Sequence, residues 1–234
     1  MKKRNLLNYF SKGEIILWLS EMTVIITFFC IFNRKEFATL IASLIGVTSL
    51  IFCAKGNPIG QALVIVFSTF YGFISFSCAY YGEMITYLGM TAPMAVLSLI
   101  SWIKNPYSGE SSEVKVERLK KLDIILLPPL TIVVTVVLYF VLRAFGTANL
   151  LTSTISVTTS FVAAFLTFKR SPYYAIAYIL NDIVLIALWS LAAIKDISYL
   201  SVIVCFIAFL ANDVYTFINW KKMQKKQSQT NIDT

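Results

Sequence analysis

The sequence predicts an all-α integral membrane protein with eight transmembrane helices: one N-terminal helix followed by a core of three, one and three helices in which the two triples repeat. Three observations predict it. Of the 234 residues 58% are hydrophobic and only 14% are charged, with a mean hydropathy of +0.75. A soluble domain carries roughly a quarter charged residues to cover its surface. The apolar residues fall into long runs, and the Lys and Arg residues gather at the ends and in the gaps.

A helix needs about 20 apolar residues to cross a hydrocarbon core of about 30 Å. Eight runs meet or approach that length: 15–32, 37–54, 59–80, 84–103, 124–142, 150–168, 173–194 and 197–219. The gaps carry breakers and charges, as in Asn33-Arg34-Lys35-Glu36, Lys55-Gly56-Asn57-Pro58, Lys169-Arg170-Ser171-Pro172 and Lys195-Asp196. The first run follows a charged front, MKKRNLLNYF, with no small-residue cleavage site after it, and reads as a retained span. Only the connection from Lys104 to Asp123 is long. Its alternating acids and bases read as a solvated linker.

The basic residues orient the bundle. With both termini on the cytoplasmic side, only Arg34, Lys35, Arg143 and Lys195 fall outside, leaving 16 of the 20 inside, as the positive-inside rule requires. The net charge of +8 is thereby assigned to insertion and anionic lipid, not to nucleic acid. Histidine is absent, and Cys30, Cys53, Cys78 and Cys205 sit singly in apolar runs, so no metal, haem, disulfide framework or other cofactor is expected. An enzyme lacks its commonest general base and any phosphate-binding loop. A subunit that captures substrate for an energising ATPase is a further class, though no docking motif supports it.

A weak internal repeat follows. Pro58 aligns with Pro172 at an offset of 114 residues, which also matches Lys55 with Lys169; Trp102 aligns with Trp220 at an offset of 118. The chain then divides into a tail and extra helix (1–36), a first triple (37–103), a polar loop and linker helix (104–149), a second triple (150–220) and a basic tail (221–234). A single linker span leaves the triples parallel, with a substrate path expected between them. Interface enrichment of Trp and Lys is the plainer account of the same matches.

Polar groups at membrane depth mark cavities or partners. Asn181-Asp182 and Asn212-Asp213 lie in the last two spans, each amide roughly 12 to 14 Å from the inner face at 1.5 Å per residue, at one common depth. Tyr178 and Tyr215 share faces with these amides, and Trp189 lies two turns outward. Asn181 and Asn212 are thus expected to bind a polar head group beside stacking rings. Asp182 and Asp213 are candidate proton-coupling carboxylates, or partners within a buried network. In the third span Gln61, Ser68, Tyr71, Gly72 and Ser75 form a stripe that either lines the same cavity or packs helices together. Glu14, Trp18 and Glu21 share a face of the first span, as a packing or oligomer-facing helix.

The stretches IASLIGV (41–47), AKGNPIG (54–60), YYGEM (80–84), APMAVLSLISWIKN (92–105), YILNDIVLIALW (178–189) and FLANDVYTFINWKK (209–222), in this order and spacing, resemble the PnuC family of nicotinamide riboside transporters. The resemblance implies a SWEET-like arrangement, a homotrimer in a bacterial cytoplasmic membrane, and facilitated diffusion of a dephosphorylated vitamin precursor that a cytoplasmic kinase then traps. It matches Asn181, Trp189, Asn212 and Tyr215 to substrate-binding positions, with Tyr178, Gln61, Tyr71 and Trp102 completing the expected site. Two departures stand out. Ala95 replaces a Gln that relatives carry after Pro-Met, and Thr216 replaces a Gly after Tyr215. A pocket that loses an amide shifts its ligand preference, so thiamine, riboflavin and deoxynucleosides stay open as substrates.

Overall fold

The computed structural model describes residues 9–32, 37–77, 81–108, 110–147 and 149–230. Residues 33–36, with Arg34 and Lys35, Cys78, and the side chain of Ser75 lie outside the described residues. The helices are α1 (Lys12–Phe32), α2 (Phe37–Ala54), α3 (Pro58–Ser77), α4 (Tyr81–Ile85), α5 (Ala92–Lys104), α6 (Lys121–Ala144), α7 (Leu150–Phe168), α8 (Tyr174–Ala193) and α9 (Leu200–Thr230). A π-helical segment, Thr86–Thr91, fuses α4 to α5. With that pair counted as one span, seven described helices are long and apolar enough to cross a bilayer, and α3 adds a shorter apolar stretch over Pro58–Ile74. The protein is therefore a multi-pass membrane bundle of seven to eight apolar helices.

Two turns are built alike. At the end of α2, Gly56 N–H donates to the Cys53 carbonyl (2.9 Å) and Asn57 N–H to Phe52 (3.0 Å), with Gly56 at φ +65°. At the end of α7, Arg170 N–H donates to Thr167 (2.9 Å) and Ser171 N–H to Leu166 (3.0 Å), with Arg170 at φ +55°. Both satisfy the last helical carbonyls through a left-handed residue. A proline follows each, and neighbouring helices α2–α3 and α7–α8 fold back on each other. Gly60 permits the first hairpin, since a Cβ there would stand 2.6 Å from the Cys53 nitrogen.

The halves then clasp each other reciprocally. Trp102 Nε1 donates to the Thr167 carbonyl (3.0 Å) and Trp220 Nε1 to the Cys53 carbonyl (2.9 Å). Ser101 Oγ donates to Phe168 (2.9 Å) and Asn219 Nδ2 to Ala54 (2.8 Å). Both indoles are fully buried, 5.3 Å apart. With Val114, Tyr174 and Met223 they form an apolar plug at the end of the bundle where Lys55 and Lys169 sit.

The long connection is not a solvated linker. A hairpin of β1 (Pro106–Tyr107) and β2 (Glu110–Val114) leads into a strap. Val114 N–H donates to Gly56 and Glu117 N–H to Arg170, so the strap is pinned to both equivalent turns. The side chain of Gln227 bridges Val116 N–H (2.8 Å) and the Val114 carbonyl (3.1 Å). Charge alternation in a sequence looks the same whether its backbone meets water or protein, which is why it predicts a solvated linker here. The basic tail begins as helix: α9 runs unbroken for 31 residues, about 46 Å at 1.5 Å per residue, well beyond a hydrocarbon core of about 30 Å.

α1 packs on α2 and α9. Glu14 accepts hydrogen bonds from Tyr215 Oη (2.6 Å), Lys55 Nζ (3.0 Å) and Ser11 N–H (2.6 Å), while Trp18 Nε1 donates to Thr48 (3.2 Å). The polar face of this helix thus packs against its own chain. α6 instead lies against α7, joined by the Thr135–Thr158 hydroxyl pair (2.9 Å), and presents Ile125, Ile132, Val133 and Phe140 outward.

Candidate functional site

Between the halves lies a cavity of about 400 Å³. It runs from the Phe145–Gly146–Thr147 loop, Ala192 and Tyr199 at one end to Cys53, Gln61 and Tyr174 above the tryptophan plug at the other. The π-helical segment shapes one wall: its wider turn, with Thr91 Oγ1 donating to the Thr86 carbonyl five residues back (3.2 Å), sets Thr86, Tyr87 and Thr91 along the space.

Asn181 occupies the centre of α8's cavity face. Its Oδ1 accepts from three hydroxyls of α7, Thr159 (2.9 Å), Ser160 (3.0 Å) and Ser156 (3.4 Å). That fixes the amide and turns its Nδ2 donor toward the cavity, which Asn181 lines. The hydroxyl run of α7, Thr152-Ser153-Thr154 and Thr158-Thr159-Ser160, was visible in the sequence. Its role needed the partner helix.

Trp189 lines the outer part of the cavity with its ring 5.2 Å from that of Tyr199. Tyr178 and Gln61 also line it, and Gln61 Nε2 lies 3.2 Å from Cys53 Sγ. Asp182 and Asp213, on neighbouring helices, both reach the wall at 3% and 2% exposure. Among the described residues Glu83 is the third acid on the lining, which includes no Lys or Arg.

Four expected site residues stand elsewhere. Asn212 is fully buried and donates from Nδ2 to Glu21 Oε2 (3.0 Å) on α1, so it does not face Asn181 across the cavity. Tyr215 is likewise turned to α1, where it holds Glu14. Position along a helix sets depth, but the rotation of α9 is set by the carboxylates of α1, nearly two hundred residues earlier in the chain. Trp102 belongs to the plug, where its indole hydrogen bond is already used. Tyr71 packs at a tilt against Phe67 and Tyr87, with centroids 5.7 and 4.6 Å away, and is not among the residues lining the main cavity. The third-span stripe thus divides. Gln61 lines the cavity, whereas a Cβ on Gly72 would collide with Leu88, the mark of a packing residue. Ala95 is buried in α5 and is not among the lining residues.

Apolar membrane helices around an internal cavity of amide, carboxyl and aromatic groups fit a membrane transport protein. The profile of the nicotinamide mononucleotide transporter family matches residues 36–222, and the chain belongs to that family. It is 26% identical over 230 residues to a nicotinamide riboside transporter PnuC of Neisseria mucosa, covering 97% of this chain and 87% of that one. The crystal structure of a vitamin B3 transporter PnuC superposes with a TM-score of 0.80 at 25% identity, covering 94% and 95% of the two chains.

Proposed function

We propose that the protein is a facilitator that carries nicotinamide riboside across a bacterial inner membrane, down a gradient maintained by phosphorylation in the cytoplasm. The observation that carries this reading is the cavity itself: the Asn181 amide, held by three hydroxyls, beside Trp189 and Tyr178 and between two helix triples. An amide recognises polar edges of a ribose or carboxamide, and the rings stack on a flat heteroaromatic. Asn181, Trp189, Tyr178 and Gln61 are the proposed contacts.

The same reading takes the chain as one helix plus two parallel triples in a SWEET-like arrangement, divided at the boundaries given above. The reciprocal tryptophan bonds and the paired left-handed turns support it. Basic residues cluster at the plug end, which supports a cytoplasmic placement of that end and of both termini. A homotrimer belongs to this proposal, and cross-linking in native membranes would count its subunits.

Uptake of labelled nicotinamide riboside into proteoliposomes is the test. Saturable uptake without an ion gradient is expected, and its absence for this compound would sink the reading. A second reading, proton-coupled transport, is favoured by the Asp182–Asp213 contact within the cavity. Accumulation above equilibrium under an imposed proton gradient would establish it.

A further inference from the structure

We propose that Asp182 and Asp213 form an acid pair sharing one proton that supplies the counter-charge for a cationic substrate, and so makes the cavity select cations over neutral aromatic solutes. This deepens the reading above and rests on it: nicotinamide riboside carries its ribose on a pyridinium nitrogen and is a cation.

The geometry carries the argument. The two carboxyls come from neighbouring helices, are more than nine-tenths buried and both line the cavity, while Asp182 Oδ2 has no hydrogen-bond partner. Two carboxylates buried this close together cannot both stay ionised, since two full negative charges repel too strongly there. With one proton shared, the pair keeps one net negative charge. A buried charge is costly without a partner, yet the described residues of the lining include no Lys or Arg. The other acids nearby, Glu83 on the lining and Glu21 beside Asp213, add negative charge and neutralise none. Tyr178, Trp189, Phe206 and Phe209 line the same cavity, and aromatic ring faces favour a cation.

Nor does the fold require the pair. At the offsets that match the two turns and the two tryptophans, 114 and 118 residues, Asp182 corresponds to Ser68 and Asp213 to Ala95, both buried and uncharged.

The decisive experiment compares nicotinamide riboside with its reduced form, whose dihydropyridine ring has nearly the same shape and no charge, binding to the detergent-purified protein by calorimetry. The protein should favour the cation by roughly tenfold or more. Each single variant, Asp182→Asn or Asp213→Asn, should keep that preference whatever its affinity, because the new amide can donate to the remaining carboxylate. The double variant should bring the ratio close to one. A double variant that retains the wild-type ratio, or a wild type without preference, overturns the proposal. If the double Asn variant does not fold, the combination Asp182→Ser with Asp213→Ala copies the residues of the other half and serves the same purpose. Should neither riboside bind, the substrate reading fails, and the counter-charge is then judged on cationic thiamine against neutral riboflavin. Preference for thiamine that is lost in the double variant sustains it; preference for riboflavin, or no binding of either, overturns it.

Discussion

The tryptophan-capped end of the bundle is built from paired, matching contacts, and the cavity wall is not. At the basic end the contacts between helix ends and turns pair off: Trp102 on Thr167 and Trp220 on Cys53, Ser101 on Phe168 and Asn219 on Ala54, one strap residue on each left-handed turn. In the cavity the mirror fails. Asn181, Asp182, Trp189 and Asp213 line it from α8 and α9, while of the positions that match Asn181, Asp182 and Asp213 at the repeat offsets, Phe67, Ser68 and Ala95, only Phe67 does. Reciprocal contacts satisfy both halves with one solution and leave no polar group to spare. A ligand with a charged end and a flat end has no such symmetry, so its recognition falls on the half that departs from the pattern.

The largest expected effect tests the equivalence. Each plug tryptophan is fully buried and uses its only donor. Replacing either by Ala should cost about 3–5 kcal/mol through the cavity left behind and the stranded carbonyl. The sharper expectation is that Trp102→Ala and Trp220→Ala cost the same to within about 1 kcal/mol, measured by unfolding in detergent. Very unequal losses would mean that the plug depends on one half alone.

Next is the asymmetry. Asn181→Ala should weaken binding of nicotinamide riboside by about tenfold or more while leaving Tm within a few degrees, since two of the three α7 residues that lose Asn181, Ser156 and Ser160, line a cavity able to hold water. The companion Asn212→Ala should do the reverse. Its partner is the buried Glu21, so stability falls by about 1–3 kcal/mol and binding changes little. Calorimetry and unfolding on the same two preparations check both, and loss of binding in Asn212→Ala would restore that residue to the cavity.

This pair of residues shows how far the sequence could be read. Hydropathy and charge located the spans, because a membrane leaves a helix almost no choice in length or ends. The repeat offsets found the matching turns, because a proline and a basic residue after each helix are local signals. Asn181 and Asn212 had the same neighbours and the same depth, and nothing local distinguishes a side chain turned to a cavity from one turned to another helix. The deciding partners, Thr159 and Ser160 for one and Glu21 for the other, lie in helices whose placement is a property of the whole bundle. The strap escaped for a related reason: its bonds to Gly56 and Arg170 are backbone bonds, and these carry no residue signature.

Helix α1 has no counterpart in the other half, and Glu14 is where it is fastened, to Tyr215 and Lys55. Glu14→Gln retains an acceptor but loses the charge. It should lower stability by about 1 kcal/mol, the pair with Lys55 being partly exposed and partly screened. An unchanged unfolding midpoint would mean that α1 is held by its apolar contacts with the Trp18–Thr48 and Glu21–Asn212 bonds, and not by the Glu14 charge.

The smallest effect distinguishes the two turns. Both need a left-handed residue, but a Cβ on Gly56 would stand 2.8 Å from Met223 Cε and 3.1 Å from Val114 Cγ1, whereas Arg170 already carries a side chain there at φ +55°. Gly56→Ala should therefore cost about 1–2 kcal/mol, the left-handed penalty plus crowding against the strap. Arg170→Gly removes a penalty of about 1 kcal/mol, but it also removes guanidinium bonds to Ser101 Oγ (3.1 Å) and the Lys115 carbonyl (3.2 Å). The gain and the losses are of similar size, so its midpoint should stay close to wild type. A large loss in Arg170→Gly would show that the second turn is held by its side chain, and that the two ends of the strap are fixed by different means.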